Sequence, residues 1–286
     1  MRILKTTAIV ALTLLFIGCS GNRNIENDLQ AENLKGKVKS IRTIWYAAKI
    51  RKEKVMKGEI TGGATTKIFN EKGYLTEVKN EDGRALFPEM KYHYMKDGRL
   101  DNIVKYDYEG KESAKEVFLY NQYDLLEKVE FYQSGELEED RVYEYDVRIL
   151  PIKQVSHRKS TDYRTEYTFM YNDKRQLVET IEKTGSGYNY RFVYQYDERG
   201  NLIEDIRYSE RGDMQWKSES KYDEYDNVTE VNSISYSSSG NTKNHTVFEY
   251  VYDAKSNWTK KIEYKEIRGI LTPVTIEERE ITYYDK

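Results

Sequence analysis

The chain has 286 residues, of which 33% are charged and 13% aromatic, and its formal net charge is −3. Acidic and basic residues are interspersed and form no basic tract, so we expect no nucleic-acid partner. The single cysteine excludes an intramolecular disulfide framework, and the 27 tyrosines favour a sheet with one aromatic face and one hydrated face.

The first 18 residues have the order of a secretory signal peptide. Arg2 and Lys5 are followed by an apolar run over residues 8–17 and then by the small residue Gly18. The uncharged stretch that ends at Gly18 is too short to cross a bilayer core of roughly 30 Å. We therefore predict that residues 1–18 form a signal peptide and not a transmembrane helix.

The end of this segment reads LFIGC and resembles the lipobox of bacterial lipoproteins. The resemblance implies cleavage before Cys19 and attachment of a diacylglyceryl chain to its thiol, so that the membrane becomes a partner through a lipid anchor. Ser20, and not an aspartate, follows the cysteine, which by the same resemblance implies the bacterial outer membrane. The alternative is an ordinary signal peptide in which Cys19 carries no lipid.

Residues 19–33 are polar, rich in asparagine and without apolar periodicity. Such a composition favours disorder, so we predict a tether here. The folded domain is predicted over residues 34–286. It begins with residues 34–47, in which apolar and polar residues alternate as in a strand.

The domain consists of a repeat that is clearest in residues 188–208, YNYRFVYQYDERGNLIEDIRY. Alternating aromatic residues up to Tyr196 predict a strand, and the sequence DERGN that follows predicts a turn before a second strand. An aromatic residue recurs at the position of Tyr196 every 25 or 26 residues, with final intervals of 30 and 32. We call these residues anchors: Phe69, Tyr94, Tyr120, Tyr145, Tyr171, Tyr196, Tyr222, Tyr252 and Tyr284.

Four copies of the unit read YHYMKDGRL (92–100), YQYDERGNL (194–202), KYDEYDNV (221–228) and YVYDAKSNW (250–258). These copies resemble the YD repeats of the RHS family, and the resemblance covers residues 67–286. It implies a domain of β-hairpins in a long curling sheet. It also implies a role at the cell surface or in carbohydrate binding.

We therefore predict an all-β fold, a long antiparallel β-meander of repeated hairpins with about 25–26 residues per unit, curled into a spiral or an open barrel. The alternative is a β-propeller in which two units form each blade. An outer-membrane barrel is disfavoured because charged residues such as Arg191 and Glu249 lie on the non-aromatic face. Pro151 and Ile149 interrupt the fourth unit, where we expect an irregular sheet.

The sequence contains no pattern of catalytic or metal-binding residues. Its histidines, His93, His157 and His245, lie far apart and lack neighbouring ligands at metal-binding spacing. Glycine-rich phosphate loops and nucleophile motifs are absent. We predict no enzymatic activity and no cofactor. The alternative is a glycan-active hydrolase of the envelope, because carboxylates are abundant.

Aromatic residues outside the anchor rows are the candidate ligand-binding residues: Tyr188, Tyr190 and Trp216. Only the sixth and seventh units have aromatic residues six positions before the anchor, and these are expected to lie side by side. Adjacent flat rings can stack on a sugar or a peptide. We therefore predict a non-catalytic, lipid-anchored binding or scaffold module of the cell envelope, whose partner is a glycan or an envelope protein.

The first prediction concerns Cys19. Mass spectrometry of the mature protein from a bacterial host should show an N-terminal cysteine that carries a diacylglyceryl group. A Cys19→Ser chain should leave the membrane fraction, because one hydrophobic anchor is removed. A mature N-terminus at another residue, or an unmodified Cys19, would contradict the prediction.

Overall fold

The computed structural model describes residues 27–81 and 89–285, which form a short helix and an 18-stranded sheet. The predicted signal peptide, residues 1–18, and Cys19 lie outside the described residues. The helix α1 spans Asp28–Ala31. The strands are β1 (Val38–Arg51), β2 (Lys54–Phe69), β3 (Leu75–Asn80), β4 (Glu89–Tyr94), β5 (Leu100–Tyr106), β6 (Glu112–Tyr120), β7 (Leu126–Gln133), β8 (Glu136–Tyr145), β9 (Pro151–Arg158), β10 (Tyr163–Tyr171), β11 (Leu177–Thr184), β12 (Asn189–Tyr196), β13 (Leu202–Ser209), β14 (Met214–Tyr222), β15 (Val228–Ser235), β16 (Thr242–Tyr252), β17 (Trp258–Ile267) and β18 (Ile270–Tyr283).

Each strand pairs antiparallel with the next one along the chain, so the predicted all-β meander of hairpins is confirmed. The last strand, β18, also pairs with β1, from Val38–Tyr283 to Ala47–Thr275, and the sheet therefore closes into a barrel. One closed sheet leaves no separate blades of the kind that a propeller needs. No helix in the two described ranges is long and apolar enough to cross a membrane.

The barrel has two ends that differ in the turns they carry. The anchor end carries the turns that follow the anchors, beginning at Asn70, Met95, Asn121, Asp146, Asn172, Asp197, Asp223 and Asp253. The far end carries the turns at residues 52–53, 107–111, 134–135, 159–162, 185–188, 210–213, 236–241 and 268–269. The sheet face with the anchors is the more buried one and lines the inside, with Phe69 and Val38 fully buried near the anchor end.

The turns of the anchor end share one hydrogen-bond pattern. In the sixth unit, the N–H of Asp197 donates to the carbonyl of Asn201 over 2.9 Å, and the Asp197 carboxylate accepts the Asn201 N–H at 2.8 Å. Gly200 has a φ of +89°, which glycine adopts without steric cost. The same side-chain bond to the backbone four residues on forms at Asn70, Asn121, Asp146, Asn172, Asp223 and Asp253. The asparagine or aspartate after seven of the anchors therefore shapes the turn, whereas Met95 takes this position after Tyr94.

The fourth unit keeps this turn, although an irregular sheet was expected there. Asp146 and Leu150 form the same backbone hydrogen bond, at 2.9 Å. Ile149 takes the glycine position with a φ of +63°, which is unfavourable for a β-branched side chain. Pro151 is the first residue of β9, at a shift in strand register, where a proline is tolerated. The turn bonds thus hold the unit in place despite both substitutions.

The hydroxyl groups of the anchor tyrosines link neighbouring turns. Tyr196 donates to the carbonyl of Leu177, the residue that leaves the preceding turn, at 2.8 Å. The equivalent bonds are Tyr94 to Leu75, Tyr120 to Leu100, Tyr145 to Leu126, Tyr171 to Pro151 and Tyr222 to Leu202. Burial raises the pKa of Tyr145 to about 12, so the hydroxyl remains a donor at neutral pH.

In the longer eighth unit the bond to the preceding turn moves by two residues along the strand. Tyr250 donates to the carbonyl of Val228 at 2.7 Å, while the anchor Tyr252 donates to the carboxylate of Asp223. The circle closes with Tyr284, whose hydroxyl donates to the carbonyl of Phe69 at 2.7 Å. The chain of links therefore crosses the seam where β18 meets β1 and reaches β2.

The segment that precedes β1 lies across the anchor end. The Asp28 carboxylate accepts the N–H of Leu75 at 2.7 Å, and Leu29 is buried in the core. Further along, the backbone N–H of Lys35 donates to the Asn257 side chain at 2.8 Å. Residues 27–33, which the sequence assigns to the tether, are thus part of the folded domain, because their few apolar and acidic side chains find partners on the turns.

The second prediction concerns the anchor row. Tyr196→Ala should lower the free energy of unfolding by about 3 kcal/mol, because it removes a half-buried ring. Tyr196→Phe should cost about 1 kcal/mol, because the Leu177 carbonyl loses its hydroxyl partner. Urea denaturation followed by circular dichroism measures both effects.

Tyr123→Ala is the matched control, since this ring is 73% exposed in a turn of the anchor end. Its effect should stay within about 0.5 kcal/mol. Equal stability of Tyr196→Ala and Tyr123→Ala would show that the anchor row does not stabilise the fold.

Candidate functional site

The inner face of the barrel changes character from the early repeat units to the later ones. On the strands that follow the turns of the anchor end, the inward residue nine positions after the anchor is apolar in the first units, at Val78, Ile103 and Val129. The equivalent residue is Asp205 in the sixth unit. A pocket of about 280 Å³ lies beside Asp205. It is lined by Phe192, Asp205, Arg207 and Trp216.

The strand register explains why these side chains meet. Arg207 of β13 lies opposite Phe192 of β12 on one side and opposite Trp216 of β14 on the other. Tyr190 is two residues before Phe192 on the same strand face, and its ring centroid lies 5.4 Å from the Arg207 guanidinium carbon. Three neighbouring strands therefore place the rings on both sides of one guanidinium group.

The structure places the three predicted ligand-binding residues at different positions. Tyr190 and Trp216 face the inside, but β13 and its Arg207 lie between them, so the rings are not side by side. A repeat unit contains two strands, and equivalent residues of neighbouring units therefore lie on alternate strands. Tyr188 belongs to the turn before β12, is 68% exposed, and bonds through its N–H to the Thr184 hydroxyl.

Asp205 and Arg207 bring unsatisfied polar atoms into the pocket. The Asp205 Oδ1 and the Arg207 Nε are buried and have no hydrogen-bond partner in the described part of the chain. Burial raises the pKa of Asp205 to about 6, although the positive charge of Arg207 acts in the opposite direction. Buried polar atoms without partners are uncommon in folded proteins, and here they leave one donor and one acceptor unsatisfied beside the pocket.

Sequence reasoning did not identify Asp205 and Arg207. Strict alternation after the turn would place Leu202, Ile206 and Tyr208 on one face of the returning strand. A register shift beside Tyr196 inserts a bulge, and the inward residues of β13 are then Asp205 and Arg207. The available signal was the contrast between repeats, in which an aspartate replaces an aliphatic residue nine positions after the anchor.

A second cavity of about 490 Å³ lies on the inner face where the sheet closes. Trp45 of β1 and Phe248 of β16 contribute its two rings, and Lys261 and Glu277 form an ion pair of 2.5 Å in its wall. The rest of the lining is Thr61, Gly62, Glu263 and Thr275. Trp258 is buried nearby, and the Arg279 guanidinium carbon lies 3.3 Å from the centroid of its ring.

The geometry of the first pocket gives no support to a glycosidase pair. The other carboxyl group to consider is that of Glu182, which faces inwards on β11. Burial raises the pKa of Glu182 as well. It lies opposite Tyr190, whereas Asp205 lies opposite Tyr194, so two strand spacings and four residues separate their Cα atoms by roughly 17 Å. Paired catalytic carboxyl groups lie about 5–10 Å apart.

The histidines lie outside both cavities. His157 contacts the Asp162 carboxylate at 2.6 Å, and His245 contacts Glu266 at 3.1 Å. His93 is exposed on β4. Within residues 27–81 and 89–285, no group of three histidine, cysteine or acidic side chains is arranged to hold a metal ion.

No family model and no curated protein matches this sequence. Among solved structures, the chain is similar to a porin-like protein from Bacteroides uniformis ATCC 8492, with a TM-score of 0.47 and 12% identity over 87% of this chain and 99% of that chain. It is also similar to TcdB2-TccC3 without the hypervariable C-terminal region, with a TM-score of 0.40 and 10% identity over 77% of this chain and 14% of that chain. It is similar to TcdB2-TccC3-Cdc42 as well, with a TM-score of 0.36 and 12% identity over 88% of this chain and 16% of that chain. TM-scores below 0.5 support no conclusion about function.

The third prediction concerns the Asp205 carboxyl. Its folded pKa of about 6 lies above the ordinary value of 3.8, so ionisation of this group destabilises the folded protein as the pH rises through that interval. Asp205→Asn, which cannot ionise, should therefore match the wild type below about pH 4 and be more stable above about pH 6. Melting temperatures across the pH range measure the difference.

Asp173→Asn is the control, because it removes the same charge from an exposed turn of the anchor end. Its effect on the melting temperature should not follow the same pH profile. A constant difference between Asp205→Asn and wild type at all pH values would show that Asp205 ionises normally.

Proposed function

We propose that this chain is a non-catalytic, lipid-anchored binding module of the bacterial outer membrane that takes a glycan into the pocket beside Arg207. The observation that carries the proposal is the buried, unbonded Asp205 Oδ1 and Arg207 Nε beside the rings of Phe192 and Trp216. Sugar hydroxyl groups both donate and accept hydrogen bonds, and the C–H faces of a sugar ring suit an aromatic wall. One molecule of this class would satisfy both polar atoms.

The position of the first described residue supports the anchoring part of the proposal. Asn27 lies at the anchor end, where its side-chain amide donates to the carbonyl of Lys72 at 3.0 Å. Asn27 lies eight positions after Cys19 in the sequence, so these two residues are at most roughly 28 Å apart. A lipid on Cys19 would therefore hold the anchor end towards the membrane and direct the far end away from it.

Kinship with the YD repeats of the RHS family is a further part of the proposal. It is supported by the recurring anchors and by the asparagine or aspartate that shapes most of the turns after them. An envelope protein is the second partner class that we predicted, and it would use the exterior or the far end and not the glycan pocket. We propose no nucleic-acid partner, because the net charge is negative.

The fourth prediction tests the glycan pocket with a bacterial and plant glycan array. The wild type should bind one class of neutral or weakly charged glycan, and Tyr190→Ala with Trp216→Ala should reduce that binding by about tenfold or more, because two rings at the Arg207 side chain are lost. Thermal melting must first show that the double variant is folded.

Tyr208→Ala is the matched control. Tyr208 is on the same strand as Arg207 but on the opposite face, where its ring lies 5.3 Å from the Arg191 guanidinium. Binding should survive this change. Binding that persists in the folded double variant would exclude the pocket, and cleavage of the bound glycan would replace the proposal by the hydrolase alternative.

A further inference from the structure

The closed sheet separates again at the far end, between its first and last strands. Pairing between β1 and β18 ends at Ala47 and Thr275. Beyond this point each strand continues only with its other neighbour, β1 with β2 as far as Arg51–Lys54 and β18 with β17 as far as Ile267–Ile270. We call these two projecting hairpins, residues 48–57 and 264–274, the fork.

The fork leaves backbone groups without strand partners in the described structure. Lys52 and Glu53 form a two-residue turn with φ values of 48° and 62°, so Arg51 bonds to Lys54 and the alternate residue Ile50 presents its N–H and carbonyl to the gap. On β18, the same alternation directs the backbone N–H and carbonyl of Leu271 into the gap. Unpaired edges of this kind are templates for another strand.

Proline explains why the two hairpins do not pair with each other. Pro273 lies in β18 just beyond the last pair with β1, opposite Tyr264 of β17. It has no N–H to donate, so it cannot continue the ladder towards β1 on that side. The gap is therefore built into the sequence at the point where the barrel would otherwise close completely.

Both hairpins of the fork carry large apolar side chains in contact with solvent. These residues are between 44% and 68% exposed: Ile50, Met56, Ile267, Ile270 and Leu271. Exposed apolar groups concentrated on adjacent hairpins mark an interaction surface more strongly than the same residues scattered singly. They would contact alternate side chains of an added strand.

The charge of the fork is opposite to that of the whole chain. Residues 48–57 and 264–274 together contain seven basic residues and two acidic ones, while the whole chain has a net charge of −3. Lys49 and Lys57 form ion pairs with Glu59 and Glu278. The fork thus offers a local positive surface to an acidic molecule, next to unpaired strand edges.

We propose that the fork binds an extended acidic peptide segment of a partner protein, which adds a strand to the exposed edges of β1 and β18. The edges supply backbone hydrogen bonds, the apolar residues contact alternate side chains, and the basic residues attract the acidic ones. Trp45 and Thr275, which line the second cavity, lie immediately below the gap, so a side chain of the peptide has a place to enter. This inference does not depend on Cys19 or on the glycan pocket.

The test uses a fluorescent peptide of about eight residues, a typical strand length, that alternates valine and glutamate. Fluorescence anisotropy should show saturable binding to the wild type. The combined change Arg51→Gln, Lys52→Gln and Lys54→Gln should weaken binding by about tenfold or more. A peptide with N-methyl groups on alternate backbone nitrogens should bind equally poorly, because it cannot complete the strand ladder.

The matched control removes three exposed basic residues from the anchor end, with Lys96→Gln, Lys174→Gln and Arg175→Gln. It has the same net charge as the fork variant and should bind like the wild type. Equal losses in both variants, or equal binding of the N-methylated peptide, would show charge attraction alone and overturn the proposal. Self-association that disappears in the fork variant, without peptide binding, would assign the fork to a second copy and also overturn it.

Discussion

The hydrogen bond from an anchor tyrosine to the carbonyl of the preceding turn is the interaction on which the rest of this fold depends. A hairpin alone is marginally stable, and its sheet neighbours bond to it only along the strands. The tyrosine hydroxyl adds a bond between successive turns, as from Tyr196 to Leu177, and from Tyr284 to Phe69 across the seam. A bonded aspartate or asparagine fixes most of these turns, and the hydroxyl meets its carbonyl also at the turn that begins with Met95, where Tyr120 donates to Leu100.

A scaffold made of identical links is uniform where the links form, and specialised chemistry is expected where the repeat varies. The inward position that holds valine or isoleucine in the early units holds Asp205 near the pocket, two residues before Arg207. The cost of burying these groups without partners falls on one unit and is tolerated because the links on both sides are intact. The aromatic rings of the anchors are part of the scaffold. Trp216 is not an anchor, because it lies six positions before Tyr222.

Much of the fold could be predicted from the sequence because the same local pattern of strand and turn residues recurs in each repeat unit. The strand–turn–strand unit, the turn after each anchor and the antiparallel meander follow from alternation and from turn residues. The bulge beside each anchor could not be predicted, and it reverses which residues of β13 face inwards. Closure depends on contacts between the first and last strands, and the docking of Asp28 on Leu75 depends on a turn far away in the sequence.

The two ends of the barrel are therefore under different physical constraints. The anchor end is held by the tyrosine links and by the segment that includes Leu29 and Lys35, and a change there disturbs several units together. At the far end, turns differ in length from one hairpin to the next. Backbone hydrogen bonds such as Lys159 to Glu138 and Gly185 to Arg164 join some of these turns to the neighbouring hairpin. Closure removes the edges of a sheet, but Pro273 restores two of them at this end. The sequence can vary here without loss of the tyrosine links at the anchor end, and this is consistent with the partner site that we propose at the fork.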